Sequence, residues 1–191
     1  LTPEQRETFQ RVIAEYRQVQ ADTAERPESR LNLGNLEMRL GNPAAAQAAF
    51  DAAIRLEPRF FPAYVALADL QRRGGRETDA EATLQRALQN APDAADVHQA
   101  LGLSLVRQKR LAEALPALRR AAELAPENAR FAYVYAVALH DAGDRAGAIA
   151  ALTNAHRRQP AAREIIAALA QYEGEAGNHA AAAAWAEKLR P

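Results

Sequence analysis

The sequence contains no cysteine among its 191 residues. That absence excludes disulfides, thiolate metal sites, thiolate catalysis and covalent haem attachment within the chain. An excess of charge of one sign is also missing, because 24 lysine and arginine residues balance 24 aspartate and glutamate residues. Nucleic-acid binding and attachment to an anionic membrane both depend on a basic surface. The charge balance therefore argues against both kinds of partner.

Long apolar runs are absent as well. The longest one, residues 131–139, is under half of the roughly 20 residues that span a bilayer, so we predict no membrane insertion. The chain begins at Leu1 without a signal-like segment. We interpret it as a piece of a larger protein, whose compartment this segment does not indicate.

The residue patterns of common catalytic sites are missing too. Neither Ser29 nor Ser104 lies in a G-x-S-x-G motif. The four histidines are far apart, form no H-E-x-x-H motif, and are accompanied by no glycine-rich phosphate loop. We therefore predict that the chain is not an enzyme, with no catalytic, cofactor-binding or metal-binding residues and no cofactor.

The sequence does contain an internal repeat with a period of about 34 residues, which is typical of helical-repeat architectures. The first copy, residues 27–60, has fixed points at Gly41, Ala46, Phe50 and Pro58. The equivalent residues of the later copies are Gly75, Ala80, Leu84 and Pro92; Ala114, Leu118 and Pro126; Gly143, Ala148, Leu152 and Pro160; and Gly177 and Ala182.

Each copy predicts two antiparallel helices. In the first copy, helix A runs over about residues 28–40, Gly41 lies in the turn, and helix B begins at Pro43 and ends before Pro58. Small residues recur where the two helices must approach closely.

The chain starts with a further helix signal, in which Thr2 and Gln5 form a capping box around Pro3. Tyr16 and Val19 stand one repeat length before Phe50 and Ala53, so we predict an N-terminal capping helix.

This pattern resembles the tetratricopeptide repeat (TPR) family. Its eight signature positions read Tyr64, Leu67, Ala68, Gln71, Ala80, Leu84, Ala87 and Pro92 in the second copy. The match covers about residues 27–191, with departures at Arg30, Glu37, Gln71 and Glu173. The resemblance implies an all-α TPR solenoid, a right-handed superhelix of antiparallel helix pairs with a concave groove. The expected domains are a capping half-repeat (1–26), four repeats (27–60, 61–94, 95–128 and 129–162) and a partial fifth repeat or C-terminal cap (163–191).

The same resemblance implies a scaffold that binds a protein or peptide in the groove. Arg39, Arg73 and Arg107 occupy one equivalent position and favour a partner with acidic side chains. The alternative is a solvated face whose arginines are balanced by Asp69 and Glu37. The predicted groove residues are Asn32, Asn35, Arg39, Asp69, Arg73, Gln99, Leu103, Arg107, Tyr133, Val137 and His140.

Some TPR domains hold a terminal carboxylate with a clamp of Lys, Asn, Asn, Lys and Arg. Here only Asn35 matches, so recognition of a chaperone tail by such a clamp is not expected. The other clamp positions hold Leu31, Ala66, Asp96 and Ala100.

Two further interpretations stay open. Residues 26–36, 58–72 and 106–143 are similar to the TPR tails of bacterial multihaem c-type cytochrome proteins, which implies an accessory role in an extracytoplasmic redox protein. That resemblance implies a periplasmic location, and without it a cytoplasmic one is expected. The last helix, around Trp185 and Leu189, is a candidate surface for homo-oligomerisation.

Overall fold

A computed structural model describes the backbone of residues 2–21 and 26–190, and the side chains of residues 2–15 and 26–190. Within these residues the fold is all α, with eleven helices and no strand. The helices are α1 (Pro3–Ala21), α2 (Pro27–Leu40), α3 (Pro43–Leu56), α4 (Phe61–Arg73), α5 (Glu77–Asn90), α6 (Ala95–Arg107), α7 (Leu111–Leu124), α8 (Ala129–Asp141), α9 (Arg145–Arg158), α10 (Arg163–Glu175) and α11 (His179–Glu187).

The helix boundaries follow from local sequence signals. The predicted capping box forms, because Gln5 N donates to Thr2 Oγ1 at 3.2 Å and Thr2 N donates to Gln5 Oε1 at 2.9 Å. Proline at the start of α2 and α3 loses no helical hydrogen bond. Inside α7, Pro116 does not end the helix. Tyr16 and Val19, which the sequence places in register with Phe50 and Ala53, lie outside the residues whose side chains are described.

A left-handed residue separates the two helices of each pair. Gly41 has φ 79°, and the equivalent Gly75, Gly143 and Gly177 have φ between 74° and 87°. Such a conformation is accessible to glycine without a steric penalty from Cβ. In the third copy Lys109 adopts the same left-handed conformation, with φ 61°. The helix pair therefore forms there although the turn has no glycine.

The chain divides into two compact units, Leu1–Pro92 and Asp93–Pro191. In unit 1, which contains α1–α5, α1 packs on the next helix pair through a buried cluster of Ile13, Leu33, Leu40 and Ala49. In unit 2, which contains α6–α11, two buried clusters fill the space between successive helices, with Leu118 and Leu152 at full burial. No described helix has the length and apolar character needed to cross a membrane.

The last helix, α11, is attached differently, because none of its residues is buried. Its Trp185 ring meets the His156 ring of α9 edge to face, with centroids 4.8 Å apart. The Lys188 ammonium lies 4.1 Å from the centroid of the Trp185 ring, which is cation–π geometry. Burial of the imidazole and the neighbouring Lys188 charge lower the pKa of His156 below its ordinary value.

We predict that Ala114→Leu destabilises the protein by about 1–3 kcal/mol, because Ala114 is fully buried and a larger side chain must push packed helices apart. Arg119→Ala on the same helix should change stability by under about 0.5 kcal/mol, since Arg119 is exposed and bonded only to the exposed Glu123. Urea denaturation followed by circular dichroism measures both. Equal shifts of the two midpoints would contradict the packing register.

We also predict that α11 loosens in mild acid. The pKa of His156 is lower in the folded chain than its unfolded value of about 6.5, so the unfolded chain binds more protons in this range. The contribution of His156 to stability is therefore present above about pH 6.5 and lost as the pH falls below it. Fluorescence of Trp185, the only tryptophan, reports the transition.

His156→Gln should remove this transition, because glutamine does not titrate. The matched control is His179→Gln, at the exposed start of α11. This variant should keep the transition. An unchanged titration of Trp185 fluorescence in His156→Gln would refute the assignment.

Candidate protein-binding surface

In unit 1, four of the predicted groove residues line one cavity. Asn35 and Arg39 lie four residues apart on α2, and Asp69 and Arg73 lie four residues apart on α4, so each pair shares one helical face. With Met38 and Ala66 they surround a cavity of about 410 Å³. Asn32 is exposed on α2 but does not line this cavity.

Asp69 organises the charges on α4. Its Oδ2 accepts a hydrogen bond from Arg73 Nε at 2.7 Å, and its Oδ1 accepts one from Arg72 Nε at 3.1 Å. Burial raises the pKa of this carboxyl, but the hydrogen bonds and charges of Arg72 and Arg73 outweigh burial, so the net pKa lies below its usual value. The Arg73 side chain stays 63% exposed. Asp69 therefore fixes the Arg73 guanidinium through Nε while its far end stays open to solvent.

Arg39 is the second cation at the cavity, and it is exposed. No carboxylate among the described residues pairs with it. The interpretation that Glu37 balances this arginine is wrong, because Glu37 is 2% exposed and accepts a hydrogen bond from Asn42 Nδ2 at 2.9 Å. Of the two expected counter-charges, only Asp69 lies on this surface.

On α6 of unit 2, the predicted residues have three different environments. Arg107 is exposed and Leu103 is half-buried. Gln99 is only 6% exposed, and neither polar atom of its side-chain amide has a hydrogen-bond partner. Gln99 is therefore not exposed as a groove residue in this structure, and its part in partner binding stays a prediction. Because Arg107 lies in unit 2, the row that joins it to Arg39 and Arg73 stays a prediction.

On α8 of unit 2, His140 is held by α10. Its ring stacks on the Tyr172 ring with centroids 4.2 Å apart and planes 8° apart. His140 Nε2 donates to Glu175 Oε2 at 2.6 Å. Hydrogen bonds from Gln171 and then from His140 lower the pKa of Glu175, and burial raises the pKa of Tyr172. His140 is therefore a positioned side chain, bonded within the protein.

Tyr133 and Val137 lie on the same helix as His140 and are half-buried. They provide apolar surface beside the stacked rings of unit 2. The sequence does not predict the stack, because Tyr172 belongs to a different repeat and the repeat register does not show which residues of successive helices meet. Within the described part of the chain, no group of three or more His, Asp or Glu side chains is arranged to hold a metal ion.

Solved structures of known proteins share this fold at low sequence identity. MamA is 19% identical, with a TM-score of 0.68 over 81% of this chain and 91% of its own. YrrB, described as a TPR protein with an unusual peptide-binding site, is 20% identical, with a TM-score of 0.64 over 94% of this chain and 89% of its own. PilF of Pseudomonas aeruginosa is 21% identical, with a TM-score of 0.71 over 85% of this chain and 74% of its own.

No curated protein sequence matches the chain. The tetratricopeptide repeat family does match it, over residues 31–95 and 100–152, which together make up more than half of its length. The matched residues include most of the first four repeats predicted from the sequence. They also include the residues of α2 and α4 that line the cavity of unit 1. The helix pairs, their turns and this match agree, and the chain belongs to the tetratricopeptide repeat family.

Proposed function

We propose that this chain is a non-enzymatic scaffold that binds a segment of a partner protein on the α2–α4 surface of unit 1. The observation that carries the proposal is the convergence of Asn35, Arg39, Asp69 and Arg73 on one cavity of about 410 Å³. Two arginines, one carboxylate and one amide provide donors and acceptors suited to a peptide. YrrB, which shares the fold, is itself described as having a peptide-binding site.

The charges of this surface favour a partner segment that carries carboxylates. The Arg39 guanidinium is exposed without a described counter-charge, and Arg73 is held by Asp69 through Nε alone. Guanidinium groups bind carboxylates with two parallel hydrogen bonds. Asn35, which is exposed beside them, offers an amide that pairs with a peptide backbone of any sequence.

We assign no catalysis to the chain. Its two serines, Ser29 and Ser104, are not set in a nucleophile motif. His140, the histidine on the predicted groove face, stacks on the Tyr172 ring and is hydrogen-bonded to Glu175. A role as the accessory domain of a multihaem redox protein stays a prediction from the sequence resemblance.

We predict that Arg39→Glu weakens binding of an acidic peptide roughly tenfold or more, because a cation that meets carboxylates becomes a like charge. The probe is a fluorescein-labelled octapeptide of alternating glutamate and alanine, with a lysine–alanine octapeptide for comparison. Fluorescence anisotropy at low and at physiological salt measures the dissociation constants, and the acidic peptide should bind more weakly as salt rises.

The matched control is Arg55→Glu, which reverses an exposed arginine on α3, away from the cavity. It changes the net charge by the same amount and should leave the dissociation constant within about twofold. The proposal fails if both octapeptides bind alike, or if the two charge reversals have equal effects.

A second candidate function is self-association through α11, favoured by its exposure. Ala182 on α11 is half-buried, whereas the four equivalent alanines are at most 1% exposed. We infer that a second copy of this chain covers the helix. The equivalent alanines are Ala46, Ala80, Ala114 and Ala148.

Self-association predicts that the mass from light scattering rises with protein concentration. Ala183→Glu, on the exposed face of α11, should return the protein to a monomer, because a charge opposes burial of that face. Ala167→Glu at an exposed position of α10 is the control and should keep the concentration dependence. A monomeric mass at every concentration would rule out this function.

A further inference from the structure

Unit 2 contains a cavity of about 310 Å³ between α7, α8 and α9. We propose that this cavity is a binding site for an aromatic ring that carries a hydroxyl group, a phenol. All residues that line the cavity belong to unit 2, and none of them lines the proposed peptide surface. The lining residues are Arg119, Ala122, Glu123, Pro126, Ala132, Tyr135, Ala151, Asn154, Ala155 and Arg158.

Two truncated side chains account for the cavity. Ala132 stands at the first large position of helix A, which Tyr64, His98 and Ile166 fill in other repeats. Ala122 is likewise equivalent to Leu88 and Ile54. Alanine at both positions leaves out the larger side chains of those repeats, and both alanines line a recess that opens to solvent beside the exposed Arg158.

The equivalent place in unit 1 is filled by Tyr64, which is 1% exposed. Its hydroxyl donates to the carbonyl oxygen of Pro58 at 3.0 Å and accepts from Asn90 Nδ2 at 3.2 Å. The Arg86 guanidinium carbon lies 5.3 Å from the centroid of the ring. Proline carbonyl, amide and cation thus surround a phenol ring that belongs to the chain itself.

Ala132 lies two repeat lengths after Tyr64, so this place in unit 2 has equivalent surroundings but no ring. Pro126, Asn154 and Arg158 are equivalent to Pro58, Arg86 and Asn90, and all three line the cavity above Ala132. The cation and the amide have exchanged places between the two repeats. Unit 2 therefore presents the polar groups that hold a phenol in unit 1, around an open space.

The chemistry of the wall selects the hydroxyl. Arg158 is exposed, and no described carboxylate pairs with it, so its guanidinium is available to donate to a phenol oxygen. The other lining arginine, Arg119, is already engaged by Glu123 at 2.7 Å. The floor of Ala122, Ala151 and Ala155 is apolar and suits the face of a ring.

The size of the space agrees with such a ligand. A cavity of about 150 Å³ admits benzene in another protein, so about 310 Å³ leaves room for a phenol and a short substituent. Tyr135 narrows one side, since it replaces the leucine of the other repeats. The equivalent leucines are Leu33, Leu67, Leu101 and Leu169.

The test uses the full chain and two probes, p-cresol and N-acetyl-L-tyrosinamide, in a titration followed by amide NMR shifts. We expect saturable binding of p-cresol with shifts concentrated at Ala132 and Ala151. Toluene, which lacks the hydroxyl, should bind roughly tenfold more weakly, because Arg158 then gains no hydrogen bond. Binding of both phenols identifies a tyrosine side chain as a ligand, whereas binding of p-cresol alone identifies a free small phenol.

Ala132→Tyr should abolish p-cresol binding, because it supplies the ring that Tyr64 supplies in unit 1. Ala150→Tyr, at an exposed position of α9, is the control and should bind like the parent. If Ala132→Tyr does not fold, Ala122→Leu, which restores the residue equivalent to Leu88, tests the same point. No saturable p-cresol binding, or binding unchanged in the folded filled variant, overturns the proposal.

Discussion

The close approach of paired helices at one small-residue position is the constraint on which this chain depends. A Cβ atom placed on Gly34 would lie 2.3 Å from the ring of Phe50, and one on Gly102 would lie 2.5 Å from the side chain of Leu118. A side chain at either glycine would displace the large residue of helix B, which occupies the volume that the glycine leaves free, and the equivalent position of the other repeats holds alanine. Repetition of this contact sets the spacing of the helices along the chain. The positions of the surface residues follow from that spacing.

Features set by local chemistry were predictable from the sequence. The Thr2–Gln5 capping box and the left-handed turn at Gly41 each depend on a few neighbouring residues. Contacts between repeats were not predictable in the same way. The stack of His140 on Tyr172 and the burial of Gln99 depend on how successive helix pairs are rotated against one another. A repeat register gives equivalent positions but not that rotation.

Polar departures from the TPR signature are compensated inside the fold. The aromatic position of helix A holds Glu37 in the first repeat, and Glu37 accepts a hydrogen bond from Asn42. In the last repeat Glu173 accepts the same bond from Asn178, at 2.7 Å.

In the second repeat the polar residue at this position is hydrogen-bonded to a different partner. Gln71, which is buried at this aromatic position, accepts a hydrogen bond from the Thr83 hydroxyl at 2.9 Å. Such pairing removes most of the cost of burying Glu37 and Gln71, so these two departures serve structure, whereas Glu173 is only half-buried. At Ala132 the departure is a loss of volume, which the neighbouring Tyr135 takes up only in part, and both residues line the cavity there.

Two positions of helix A outside the buried core hold different residues in different repeats. One such position holds Asn35 and Asp69 in unit 1 and Leu103 and Val137 in unit 2. The position four residues later holds arginine in the first three repeats and Asp141 in the fourth. Both lie on helix A and are turned by about 100° or more around the helix from the small residue that contacts helix B, and none of their side chains is fully buried. The same backbone therefore carries a polar, cationic surface in unit 1 and a more apolar one in unit 2. If the proposed peptide binding is right, these two positions of helix A are where the repeats would differ in the partner they accept, because the buried residues of each helix pair are held by packing.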